Sequence, residues 1–226
     1  MPLKQNLLTL SAAGVMAFSF AACGDDDTDT ASNSSNGSST ETVKPAAEVA
    51  DLSNGVDTQV TLDAGFVEAL GTLKLTPAPV GDAQITKAGV AKFPITGGNV
   101  KYFTPGTVTP YVQGEIDHEG SGLSLTAAGG PKVELTDFVV DPGASVLTGK
   151  VTVDGTVAAE SAPLFFLDGR TLNPLETGPN DTAILEGTTV KLKQEAADLL
   201  NQTFKVDALK AGLVIGVAKI TVKTAA

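Results

Sequence analysis

The sequence predicts a mainly β protein: an antiparallel β-sandwich or barrel-like body with two short helices, preceded by an export signal and a disordered linker. Three observations predict it. From about residue 47 onward, apolar residues come in short runs broken by Gly and Pro at regular intervals. Gly (24 residues), Val and Thr are plentiful while Trp is absent and Tyr occurs twice, a mixture suited to short strands and turns. Only two segments carry helical periodicity.

Residues 1–22 read as the export signal. Lys4 supplies a positive charge at the front, and Leu7 to Phe20 form an apolar stretch too short for a standard membrane-spanning helix. Ala21 and Ala22 are the small residues a signal peptidase needs. The next residue, Cys23, is the chain's single cysteine, followed by Gly24. Phe20-Ala21-Ala22-Cys23 resembles the lipobox of bacterial lipoproteins, with Phe20 where Leu is usual. The resemblance implies that the Cys23 thiol receives a diacylglycerol and that the chain is cut just before it. Acyl chains then supply the membrane hold, at about 0.8 kcal/mol per buried methylene. The alternative is an ordinary secreted chain with a cysteine near its cut. Residues 23–46 form the tether: GDDDTDTASNSSNGSSTETVK, Gly24 to Lys44, has one aliphatic residue besides Ala and cannot bury a core.

Residues 47–226 form the β body. Candidate strands are 59–62, 73–76, 89–95, 108–118, 122–127, 132–140, 146–153, 163–167, 183–192 and 213–223. Turn signals separate them at Thr96-Gly97-Gly98-Asn99, Glu119-Gly120-Ser121-Gly122, Gly129-Gly130-Pro131, Asp141-Pro142-Gly143 and Asp154-Gly155. Asp63 caps a short helix through Leu70, with Phe66, Val67 and Leu70 on one face; Lys193 to Leu200 forms the second, with Ala196, Leu199 and Leu200 inward. VTLDAGFVEALGTLKL (Val60 to Leu75) aligns with VKLKQEAADLLNQTFKV (Val190 to Val206) after one insertion. Leu70 matches Leu200, Gly71 matches Asn201, and Leu73-Lys74-Leu75 matches Phe204-Lys205-Val206. Both units read as strand, helix, left-handed stop and strand, a pseudo-repeat at the two ends of the body.

Several function classes fall away. One Cys precludes an internal disulfide, and one His, His118, precludes any site needing two imidazoles, the common zinc sites among them. The formal charge of −11 disfavours nucleic acid and anionic lipid surfaces. There is no Gly-x-Ser-x-Gly, no His-Glu-x-x-His and no phosphate loop, so the chain is not expected to be an enzyme.

Phe93 to Gly155 combines a Phe-Pro stretch, paired glycines, a strand, a glycine hairpin, an apolar strand, a polar strand and a turn before the closing strand. This segment resembles the HtaA-type domain, which occurs in bacterial surface proteins that collect haem. In that family a short helix carries a Trp, a Phe and a ligating Tyr. On VTLDAGFVEAL those places fall on Val60, Phe66 and Ala69, so the family's Trp and Tyr are missing. Ala69 offers iron no ligand; tyrosinate does. Replacement ligand candidates are Tyr102, Tyr111 and His118. On a strand, Ile116 and His118 share one face and Glu115, Asp117 and Glu119 the other, which makes His118 a half-buried hairpin residue and the acids a solvated face.

The expected function is a membrane-anchored, extracytoplasmic, non-enzymatic binding or interaction module of the bacterial cell envelope. Its partners are the membrane, through lipid on Cys23, and a small molecule or an envelope protein. No cofactor is required. The alternatives are haem binding or uptake through a non-standard ligand, and a structural envelope spacer.

Overall fold

The structure is a computed structural model that describes residues 43–224. The export signal, Cys23 and the tether up to residue 42 lie outside the described residues. Thirteen strands and two helices follow in order: β1 (Ala47–Val49), β2 (Asp57–Leu62), α1 (Ala64–Thr72), β3 (Leu75–Gly81), β4 (Gln84–Ile85), β5 (Val90–Pro94), β6 (Gly97–Tyr102), β7 (Val112–Ala127), β8 (Lys132–Asp141), β9 (Val146–Val153), β10 (Thr156–Asp168), β11 (Glu176–Gly178), β12 (Thr182–Leu192), α2 (Gln194–Phe204) and β13 (Val214–Lys223). One antiparallel sheet runs β1-β6-β7-β8-β9-β10-β12-β13-β2-β5-β4, with β3 added beside the second half of β7 and β11 beside β12. The sheet curls without closing, and β1 and β4 end its main path. Of the two architectures the sequence allows, the barrel-like one, as a half-barrel, is present. Among the described residues no helix is long and apolar enough to cross a membrane.

The curl is built by irregular residues in long strands. The expected hairpin at Glu119–Gly122 does not occur: β7 runs through it for 16 residues. Gly120, at φ +70°, and Ser121 form a bulge there instead. The Gly120 amide donates to Asp137 Oδ1 (2.9 Å), and Ser121 Oγ donates to the His118 carbonyl (3.1 Å). These bonds satisfy the groups a bulge frees from the ladder, so the chain bends rather than reverses. The bulge also switches which residues face inward, from Ile116 and His118 to Leu123 and Leu125. β8 makes the same switch at Asp137 (φ +52°), from Val133 and Leu135 to Phe138 and Val140. The expected turn at Gly97-Gly98 is likewise a strand start. Gly98 (φ +101°) lies against β7 so closely that a Cβ would overlap the Glu115 carbonyl oxygen. The turns at 129–131, 141–143 and 154–155 are present between the strands they were expected to separate.

Asp63 caps α1, its Oδ1 accepting from the Gly65 and Phe66 amides at 2.8 and 3.3 Å. Phe66 and Leu70 are buried, but Val67 is half exposed: one position round the helix is enough to leave the sheet. In α2, Ala196, Ala197 and Leu200 are buried and Leu199 is partly so. Both strand–helix units of the pseudo-repeat are present, but not at the two ends of the body: their first strands, β2 and β12, flank β13, which pairs with both. The left-handed residues are Lys74 and Lys205, which the alignment pairs with each other, rather than Gly71 and Asn201. Asn201 is helical, and its amide holds the following loop by bonding Leu209 N and O (3.1 and 2.7 Å). That loop replaces the strand expected at Phe204–Val206.

Candidate binding cavity

Alternation along the strands directs one set of side chains into the hollow of the half-barrel. Val60 and Leu62 on β2, Phe93 on β5, Ile116 on β7, Leu185 on β12 and Ile220 on β13 are among them. The hollow is a cavity of about 630 Å³. That lies within the range of about 300–1,000 Å³ typical of small-molecule sites. Its wall is aliphatic and aromatic, with polar groups at only a few points. Two of those points are formed by the three expected ligand candidates, Tyr102 with Tyr111 and, apart from them, His118.

Tyr102 ends β6, and the loop after it, with a cis Thr109–Pro110 peptide, returns Tyr111 beside it. The backbone closes this return through Phe103 N to Tyr111 O (2.7 Å). The two rings stand edge to face, 5.8 Å apart at 88°, and both line the cavity while remaining partly exposed. Burial, and then the neighbouring Tyr102, push the Tyr111 phenol above its ordinary value.

His118 also lines the cavity, but it is a fully buried strand residue, 1 % exposed, rather than a half-buried hairpin one. Its Nδ1 lies 2.9 Å from the Pro94 carbonyl, which can only accept, so Nδ1 carries the proton. Its Nε2, 3.2 Å from Thr58 Oγ1, then accepts from that hydroxyl. Burial holds the ring's pKa below 6.5, against opposing pulls from Pro94, Asp117, Phe93 and Asp57. Both nitrogens are engaged, and neither is free for a metal in this arrangement. The strand separates His118 from the tyrosines. Val112 pairs with Tyr102, and His118 lies six residues further along β7, about 20 Å at strand rise. Tyrosines and histidine thus mark two different parts of the wall.

A third polar point was not expected from the sequence. At the end of β10, Asp168 accepts from Arg170 Nε (2.8 Å), Nη2 (2.6 Å) and N (3.2 Å), and from Lys191 Nζ (2.8 Å). The Arg170 side chain, then Lys191, hold its carboxyl well below the usual carboxylate range. Asp168 and Arg170 line the cavity. Thr58 was also missed, since a threonine in a strand carries no special signal. For Asp168 and Arg170 the signal was there: FLDGR ends an apolar run with a turn and the chain's single arginine.

The helix residues assigned by the family resemblance fall elsewhere. Phe66 is in the core, and Ala69 lies on α1; of the three positions only Val60 reaches the cavity. Glu115 and Glu119 are exposed and Asp117 is half-buried, on the face opposite His118. Among the described residues no group of three or more His, Cys, Asp or Glu side chains is placed to hold a metal ion.

A half-barrel with an apolar hollow defines the class: a single-sheet antiparallel β fold. Among solved structures, the C-terminal domain of HtaA from Corynebacterium glutamicum matches 74 % of this chain and 97 % of its own length, at 15 % identity and a TM-score of 0.50. A domain-swapped dimer of a histidine-to-alanine variant of the same domain matches 71 % of the chain and 91 % of its own, at 14 % identity and a TM-score of 0.44. The chain therefore has an HtaA-like fold. No family model matches the sequence, and no curated protein matches it.

Proposed function

We propose that this protein is a membrane-anchored, extracytoplasmic lipoprotein whose half-barrel body is a non-enzymatic binding module for an apolar small molecule. The observation that carries the binding reading is the cavity, about 630 Å³ and walled by aliphatic and aromatic side chains. The anchor rests on the Phe20–Cys23 sequence and the apolar run before it. The polar groups at the cavity are few, and His118 and Asp168 among them are held by partners within the chain, which suits retention of a ligand more than its conversion.

The binding experiment uses the mature chain, residues 23–226, with Cys23→Ser for solubility, titrated with the neutral dye Nile red. Saturable emission enhancement at one site per chain supports the reading, and its absence removes it. Growth on labelled palmitate tests the anchor: the intact chain takes up label in the membrane fraction and Cys23→Ser does not.

A second reading, haem binding, draws on the family resemblance and on the Tyr102–Tyr111 pair at the cavity. Here a tyrosinate would ligate iron. His118 would not, because Pro94 and Thr58 occupy both its nitrogens. Haemin titration decides: a saturable Soret band lost in Tyr111→Phe or Tyr102→Phe supports haem, and a flat titration restricts the cavity to other ligands.

A further inference from the structure

We infer that the cavity is built for an amphipathic carboxylate: an apolar body in the hollow and a single carboxylate head on Arg170 at the rim. The inference rests on the cavity's being a binding site, as proposed above, and specifies its ligand.

The chain contains 14 lysines and one arginine. That arginine is at the cavity, and its side chain is 83 % exposed while still lining the hollow. Charge follows the same pattern. The protein carries −11 in formal charge. Among the described residues the charged ones lining the cavity are Glu48, Asp168 and Arg170. Glu48 is neutralised by Lys101, 3.4 Å away. Asp168 is shared by two cations, Arg170 and Lys191. The Asp168 cluster therefore keeps one positive charge unmatched, on the wall of an acidic protein.

Geometry adds to the sign. Asp168 grips Arg170 through Nε and Nη2, which fixes the plane of the guanidinium and leaves Nη1 and the remaining N–H bonds for a ligand. A planar fork held in place suits a carboxylate better than a lysine ammonium does. Beside it, Phe166 lines the cavity and is 43 % exposed, an apolar lip where a ligand's body would meet its head. Phe166 pairs across the sheet with Lys191, so the lip and the second cation are neighbours.

The test is competition against Nile red on the mature Cys23→Ser chain, with oleate and oleyl alcohol as a pair that differ in the head alone, both below their aggregation limits. The expected result is displacement by oleate at least about tenfold more tightly than by the alcohol, about 1.4 kcal/mol. Arg170→Gln should abolish that preference while leaving the alcohol's affinity unchanged, and Arg170→Lys should recover part of it. Melting temperatures of the variants confirm that they fold. Equal displacement by both ligands overturns the inference and leaves the cavity reading standing. A preference that survives Arg170→Gln places the head elsewhere and also overturns it. Failure of Nile red itself to bind removes both.

Discussion

Acidification should destabilise this protein above the range in which ordinary carboxylates titrate, and His118 should be the cause. The ring is 1 % exposed and neutral, with Nδ1–H donating to Pro94 and Nε2 accepting from Thr58. Protonation would desolvate a charge and turn Nε2 from acceptor to donor. Asp57 and Asp117 favour the charged form, but burial outweighs them, so the folded pKa lies below 6.5. The sign follows from linkage. Below pH 6.5 the unfolded chain binds a proton that the folded chain refuses, so stability is full above that value and falls as pH drops towards the folded pKa. One group contributes a slope of at most about 1.4 kcal/mol per pH unit, hence at most about 1.4 kcal/mol between pH 7.5 and 5.5. The assay is urea unfolding at pH 7.5, 6.5 and 5.5. The midpoint should fall across this range in the parent chain and stay level in His118→Gln, which keeps an amide donor and acceptor at the site. His118→Leu should be less stable at all three pH values, because it leaves the Pro94 carbonyl and Thr58 hydroxyl unpartnered at about 1–3 kcal/mol each. A parent chain as stable at pH 5.5 as at 7.5 would refute the account of a buried neutral histidine.

Other outcomes test the cavity and the bend. Val60→Phe places a larger ring in the hollow at a partly buried position, and should weaken Nile red binding at least about tenfold with little change in melting temperature, as measured by fluorescence titration and calorimetry. Gly98→Ala should lower the melting temperature far more than Gly106→Ala: both have positive φ, but only Gly98 has a backbone carbonyl where the new methyl would go. Asp168→Asn leaves two cations, Arg170 and Lys191, without their shared anion and should raise the oleate preference, read by the same displacement assay, while sparing oleyl alcohol.

The regular parts of the fold were legible because local patterns and tertiary structure agree there. Strand β9 occupies the run expected for it, Asp63 caps α1, and the Asp154-Gly155 turn joins β9 to β10. The sequence misleads where glycine serves closeness or curvature rather than reversal. Gly120 in Glu119-Gly120-Ser121-Gly122 and Gly98 in Thr96-Gly97-Gly98-Asn99 both look like turns; one bends a continuous strand and the other begins one. Only the partners, Asp137 for the first and β7 for the second, separate these cases, and they are distant in sequence. The same reason hid the site. Tyr102 and Tyr111 are close in the chain and meet as neighbours, but His118's partners come from Thr58 and Pro94, 60 and 24 residues away. The rim cluster joins Asp168 to Lys191, 23 residues on, across the β10–β12 pairing.

The cavity also weighs against a purely structural role. A spacer needs no concave apolar face, whereas contiguous apolar surface on a folded domain marks a site for a ligand or partner. Here Val60, Leu62, Leu147 and Ile220 face the hollow and are only partly buried. They pack against the core on one side and turn apolar surface towards the hollow on the other. On the reading proposed above, an apolar ligand would cover that surface. Its presence would appear as a rise in unfolding temperature with ligand concentration, which a spacer would not show. The satisfied state of His118 and the one unmatched positive charge of the Asp168–Arg170–Lys191 cluster then divide the wall by role: an apolar interior around a neutral histidine, and a charged rim suited to an oxyanion.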